Sequence, residues 1–257
     1  MTATKDIATT DDKVPPVVAI LRKFETNIER SLPDGMTVER YKMLCENLLR
    51  QNKQLLNVDP VSFLSSVLMS AQLGLEPGPP LGLSWIIPRR NSGKLEASMQ
   101  LGYRGLIQLA YRSGQVKRIE AHIVHEGDPF DYGFAIPGGW RIDWTPQGEP
   151  GRDWSHVFVV AETVLGAEMV EVMTVDEIRA HRDRYSKGWD KGGSAWKSNE
   201  PEMARKVVTA KLCRQLPMSA EFRDAMVADG ATPRELVPDL AGMMVLEAST
   251  EQEDADG

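Results

Sequence analysis

The chain has 257 residues, ordinary apolar and charged fractions, and a net charge of −7 at pH 7. That is room for one large domain or two small ones with ample core, and it excludes a chain too polar to fold. No apolar run approaches the ~20 residues of a membrane-spanning helix, and the polar start MTATKDIATTDDK is no secretory signal, so a cytoplasmic protein without membrane partners is expected.

Residues 1–14 lack periodicity and are expected to be disordered. From Pro15, the residues Val18, Leu21, Phe24, Ile28 and Leu32 recur at helical spacing and predict one helix ending at Pro33-Asp34-Gly35. Thr37 is placed to cap a second helix carrying Tyr41, Leu44, Leu48 and Leu49. Asp59-Pro60 opens a third, with the stripe Val61, Leu64, Val67, Leu68, Ala71 and a stop signal at Gly74. Two apolar runs, Leu81–Pro88 and Leu95–Leu101, flank Asn91-Ser92-Gly93-Lys94 and read as a β-hairpin. A helix-period segment through Leu106 and Leu109 follows and ends at Gly114. Val116–His125 has an imperfect strand pattern, with Val116, Arg118, Glu120, His122 and Val124 on one parity. The stretch 126–153 is turn-rich. Trp154–Leu165 and Ala167–Met173 read as a second hairpin about Gly166. Thr174 with Glu177 forms a capping box for a helix through Tyr185, and Asn199 with Glu202 predicts another for a helix over 201–216. Helices before, between and after antiparallel hairpins indicate an α+β fold: a helical region over 15–60, a core over 61–218, then a short helix and an acidic disordered tail over 219–257.

Charge is distributed in blocks. The balance is −1 over residues 1–84, +6 over 85–118, −10 over 119–178, +6 over 179–214 and −8 over 215–257. A global isoelectric point hides two basic blocks that ask for an anionic partner. Aromatics interleave with their cations: Tyr103 beside Arg104, Tyr111 beside Arg112, Tyr185 near Lys187, Trp196 beside Lys197. Cations for phosphates and rings for unpaired bases together suit single-stranded nucleic acid, against the plainer reading of solvated charges and core aromatics. In the helix 201–216, Ala204, Val207, Val208, Leu212 and Gln215 form one arc, with Lys211 inside it. An ammonium there must snorkel, meet a carboxylate or reach a phosphate.

Other chemistry is weaker. Cys45 and Cys213 have neither metal nor redox spacing and read as buried thiols in a reducing compartment. His122 and His125 lie three apart on a strand and point to opposite faces, which disfavours a metal site. Asp128, Asp131 and Asp143 leave a magnesium-dependent nuclease acting on DNA as the alternative function. Ser92-Gly93-Lys94 lacks the first glycine of a phosphate-binding loop, the serines of the third helix form no nucleophile elbow, and no helix-turn-helix supports a duplex regulator. No cofactor is expected.

Four stretches in order, AQLGLEPGPPLGLSWIIPRR, MQLGYRGLIQLAYRSGQVKRIEAHIVHEGDPFDY, EVMTVDEIRAHRDRYSKG and SAWKSNEPEMARKVVTAKLCRQLPMS, resemble the RecT family of phage-type single-strand annealing proteins. The resemblance runs from about Val61 to Ser219, with Arg104 standing where many members have lysine. It implies an ATP-independent, non-enzymatic recombination protein with a compact α+β core, which coats single strands, assembles into rings or helical filaments and pairs complementary strands into an annealed duplex. A cognate exonuclease and a host single-strand-binding protein are the further partners it implies. Resemblance and charge agree on Arg104, Arg112, Lys187, Lys197, Arg205, Lys206, Lys211 and Arg214 as DNA-binding residues. Tyr185 and Trp196 join them as stacking candidates and Lys117 as a further cation. Lys117 and Arg118, at alternating strand positions, are not expected to face one groove. Arg89, Arg90 and Lys94 at the hairpin tip serve either DNA or a neighbouring subunit.

Overall fold

The computed structural model describes residues 14–148, 153–186, 188–192 and 194–216. The terminal segments expected to be disordered, and the short helix expected after residue 219, fall outside these residues apart from Val14. The described chain divides into two compact units, residues 14–77 with 86–99, and residues 78–85 with 100–216.

The first unit holds α1 (Pro16–Lys23), α2 (Glu25–Ser31), α3 (Val38–Gln51), a 3-10 turn (Lys53–Asn57), α4 (Pro60–Gln72) and most of the hairpin formed by β1 (Ser84–Asn91) and β2 (Lys94–Leu101). The single first helix expected from periodicity is two, because Phe24 leaves helical geometry at φ −100°, ψ 25°. Its buried ring fills the joint, and each short helix lays its own apolar side on α4. The helix starts are as read: Thr37 accepts from the Arg40 amide at 3.4 Å and Asp59 from the Ser62 amide at 2.8 Å. Residues Ser62 to Ala71 of α4 are all buried, and its serines are tolerated because their hydroxyls bond locally. Ser65 and Ser66 donate to the carbonyls of Val61 and Ser62, both at 2.9 Å. The hairpin turns through Ser92 (φ 47°) and Gly93 (φ 85°), the two successive left-handed residues a tight two-residue turn demands.

The boundary expected at residue 60 does not separate these elements. The Ala97 amide donates to Ser62 Oγ and the Asp59 amide to the Leu95 carbonyl, at 2.8 and 2.9 Å. Ile86 and Ala97 are buried in the helical core. The hairpin closes that core, so α4 and residues 86–99 belong with the N-terminal helices.

The second unit holds α5 (Tyr103–Arg112), β3 (Val116–His125), β4 (Phe130–Ala135), β5 (Gly139–Trp144), β6 (Trp154–Thr163), β7 (Glu168–Thr174), α6 (Val175–Tyr185), the single turn α7 (Ala195–Ser198) and α8 (Glu200–Cys213). Its sheet is antiparallel in the order β3-β6-β7, and β4–β5 is a separate hairpin inserted between β3 and β6. On one face, Ile119, Val157, Val159 and Ala161 are buried, and α8 packs across all three strands with α5 beside it. The other face carries His122, His156 and Phe158, covered by Phe130 and Trp144 of the inserted hairpin with ring centroids 5.1 to 5.6 Å apart. The α+β class with antiparallel hairpins is therefore the observed one. The turn-rich stretch after residue 126 gives an ordered aromatic lid on the sheet.

Two local departures matter for the site. A register shift between Val116 and Arg118 makes Lys117 an extra residue opposite β6, so the expected parity of β3 holds only from Arg118 onward. Asn199 caps α8 by position but makes no side-chain capping bond, unlike Thr174, whose capping box with Glu177 is complete.

Candidate nucleic-acid interface

The Gly-Tyr-Arg-Gly segment at the start of α5 is built by close backbone approach. A Cβ on Gly102 would lie 1.9 Å from the Gly82 carbonyl oxygen, and one on Gly105 would lie 2.1 Å from that of Leu83. The Gly102 amide donates to the Leu83 carbonyl at 2.9 Å. Only glycine fits at both points, and the pairing pins the first turn of α5 while Arg104 projects to solvent. Arg104 Nε donates to the Tyr103 hydroxyl at 3.3 Å, and its guanidinium lies 5.8 Å from the Tyr103 ring centre. That hydroxyl, and then Glu202 on α8, push Arg104 further toward its charged form. Arg205 Nη1 meets the same Glu202 at 2.7 Å. The start of α8 thus holds Arg205 on Glu202, and α5, packed on α8, presents Arg104 from the other helix.

A second group forms near the end of α8. Lys211 Nζ meets Glu171 of β7 at 2.6 Å, and Gln215 donates to the other oxygen of that carboxylate at 3.1 Å. The apolar arc of α8 is rotated from the expected one: Ala204, Val208, Thr209, Leu212 and Cys213 are buried, which leaves Lys211 exposed at the border. Of the three fates open to it, meeting a carboxylate is the one observed. His181, not singled out from sequence, sits among these residues. Its ring lies 4.7 Å from that of Tyr185, and burial first, then Arg214 and Lys211, lower its pKa. The Tyr185 ring therefore packs on an imidazole whose charged form burial and the two cations disfavour.

The glycine-rich loop before α8 is organised by a buried arginine. The Arg182 guanidinium lies 3.5 Å from the Trp189 ring centre and 6.0 Å from that of Trp196, and pairs with Asp183 at 2.9 Å and Glu200 at 3.2 Å. Arg179 also engages Glu200, at 3.1 Å, which raises its pKa. Trp196 is buried and donates its indole N–H to Ser186 Oγ at 3.0 Å, so its ring packs the loop and offers no open face to a base. Lys197 is exposed, with Nζ 3.4 Å from the Asp190 carbonyl. Arg112 is exposed at the last turn of α5, Lys206 is half-buried on α8, and Lys187 lies outside the described residues.

Lys117 and Arg118 do not join these groups. The bulge brings both to Glu162 of β6, at 2.6 and 3.8 Å, and Arg118 shares the sheet face of His122 that lies under the β4–β5 hairpin. They do face one place, contrary to the alternation expected of a regular strand, and it is a carboxylate. Arg179, Arg182 and Glu200 were missed from sequence; the available signal was two arginines three apart on α6 followed by two tryptophans.

The acids of the nuclease alternative are used otherwise. Asp128 accepts from the His125 amide, the Trp144 indole and the Gln147 amide, each at 3.1 Å, and Asp131 pairs with Arg141. Among the described residues no three His, Cys, Asp or Glu side chains gather as metal ligands, and no helix is long and apolar enough to cross a membrane.

Comparison with known proteins identifies the family. The chain is 34% identical over 219 residues to Protein RecT of Escherichia coli strain K12, a match covering 84% of this chain and 80% of that one. It is 29% identical over 224 residues to the uncharacterised protein YqaK of Bacillus subtilis strain 168, covering 83% and 70%. The family model described as RecT family matches residues 40–238, which include both cation groups and the glycine-pinned start of α5. The chain belongs to the RecT family of single-strand annealing recombination proteins.

Proposed function

We propose that this chain binds single-stranded DNA along α5 and α8 and anneals complementary strands without ATP, acting in the cytoplasm as a homo-oligomer on a strand delivered by a cognate exonuclease and coated by a host single-strand-binding protein. The observation that carries the reading is the gathering of cations from α5 and α8, two helices packed together on one side of the sheet: Arg104, Lys211 and Arg214 are exposed and Arg205 is half-buried. Arg112, Lys197 and Lys206 extend the set, and Tyr185 is the exposed ring beside it. Such cations neutralise phosphates without reading bases, so binding is independent of sequence and the bases stay free to pair. Once one strand's phosphates are neutralised, a second strand approaches with less repulsion. Annealing then needs no bond-breaking step, and the protein is not an enzyme in that sense.

Glu202 holds Arg205 and Glu171 holds Lys211 in place before DNA arrives. Phosphate oxygens replace the carboxylates as partners, or share the cations with them.

The test is a fluorescence annealing assay with two labelled complementary oligonucleotides, with and without ATP, and with Mg²⁺ in a parallel arm. Annealing faster than the spontaneous reaction, unaffected by ATP and with full-length strands recovered, supports the proposal. Shortened strands in the Mg²⁺ arm would establish the nuclease instead, and a rate equal to the spontaneous one would reject annealing.

A further inference from the structure

The face of the sheet opposite α8 ends in a feature that the DNA reading leaves unused. The turns of the β4–β5 and β6–β7 hairpins lie side by side and expose apolar side chains. Leu165 is 92% exposed, Ile136 87%, Phe134 57% and Val164 53%. Between the turns is a cleft of about 340 Å³ walled by Phe134, Trp140, Glu162 and Glu168 and floored by glycines. Exposed apolar groups clustered around a cleft mark a protein contact.

The chemistry of the cleft selects a cation. Glu162 and Glu168 are direct cross-strand partners on β6 and β7, an arrangement in which like charges oppose each other. Lys117 and Arg118 compensate Glu162 from the β3 side, and Glu168 is exposed on the far rim. An ammonium or guanidinium entering between Glu168 and the Trp140 ring gains a carboxylate and an aromatic face together. A phosphate would be repelled there, and so would an acidic peptide.

We infer that this cleft seats the β1–β2 tip of a second copy of the chain, with Arg89, Arg90 or Lys94 entering between Glu168 and Trp140. This rests on the oligomeric annealing protein proposed above. The tip carries those three exposed basic residues within six positions. Strand and acid belong to the −10 block and the tip to a +6 block, so tip and cleft are complementary surfaces of one sequence. Because the two surfaces differ, the contact is heterologous: each copy offers its tip to the next and receives one from the previous. Repetition generates a ring or an open filament.

Sedimentation velocity on the full chain, with and without a single-stranded oligonucleotide, tests this. Glu168→Lys, Leu165→Ser and the triple change Arg89→Ala, Arg90→Ala, Lys94→Ala should each return the wild-type assembly to the 28.6 kDa monomer, with unchanged melting temperature. Mixing Glu168→Lys with the triple variant leaves one intact tip and one intact cleft per pair and should give dimers that grow no further. A wild-type assembly left unchanged by all three variants would overturn the contact while leaving oligomerisation standing. A wild-type chain that stays monomeric in both conditions would overturn the oligomer reading and the contact with it.

Discussion

Lys211 Nζ and the Glu171 carboxylate meet at 2.6 Å, joining the last turn of α8 to the inward face of β7. The ammonium side is half exposed and the carboxylate nearly buried, at 50% and 12%, so Lys211 is both an internal counter-ion and a surface cation. The two roles separate by substitution. Lys211→Ala should weaken single-strand binding and reduce the slope of log affinity against log salt by about 0.7. Glu171→Gln should release the ammonium and strengthen binding by about two- to five-fold, the equivalent of an exposed ion pair. Filter binding across a salt series reads both, and a Glu171→Gln variant that binds more weakly would make the pair purely structural.

Arg104→Ala should reduce affinity and lower the salt slope by about the same single-phosphate amount, while the melting temperature stays unchanged because the side chain is exposed. Arg104→Lys should retain the salt slope. An Arg104→Ala variant with wild-type affinity and slope would remove Arg104 from the interface.

Gly105→Ala tests the backbone approach beneath Arg104. The added methyl would meet the Leu83 carbonyl at 2.1 Å, and that backbone is fixed by its own hydrogen bond to Gly102. Overpacking of this kind costs about 1–3 kcal/mol, read as a lower urea midpoint with the same dependence on denaturant. A neutral result would mean that α5 can shift without cost.

His181 should make DNA binding pH-dependent. Its pKa is lowered by burial, Arg214 and Lys211, so the imidazole is neutral at pH 7 in the free protein. A phosphate beside Lys211 and Arg214 offsets their positive charge and raises the pKa, which couples binding to proton uptake. Affinity should therefore rise as pH falls from 7.5 toward 5.5, and His181→Gln should flatten that rise. Fluorescence anisotropy at fixed ionic strength measures it; an identical pH profile in the variant would place the DNA away from His181.

The thiols should be silent in the native state. Cys45 and Cys213 are free and buried, and burial pushes both pKa values up to about 12. Thiolate is the reactive form, so a thiol-reactive chromogen should detect neither at pH 8 and both after unfolding in denaturant. Fast labelling of either in the folded chain would show that its helix opens locally.

The local signals in the sequence were sufficient for the starts and stops of elements. The caps at Thr37, Asp59 and Thr174, the turn at Ser92-Gly93 and the stop at Gly114 are decided by hydrogen bonds and dihedral angles within about four residues. The two basic blocks and the family were also legible, because composition and ordered motifs survive without coordinates. Other features depended on distant parts of the chain. Phe24 breaks the first helix because α4 lies beneath it, and Trp196 turns inward because Arg182 and Ser186 receive it. A single bulged residue sends Lys117 and Arg118 to one carboxylate.

The candidate site divides in the same way. That Arg104, Arg205, Lys211 and Arg214 are cations worth grouping was readable from charge and spacing. Which carboxylate Lys211 faces was not, since Lys211 and Glu171 are 40 positions apart, whereas Arg205 and Glu202 are one helical turn apart. Strand register and helix packing set those distances. A long-range ion pair has no sequence-local signature, whereas a helix cap has one; the cations are named by the order of residues, and the packing of α8 on β7 sets how Lys211 is held.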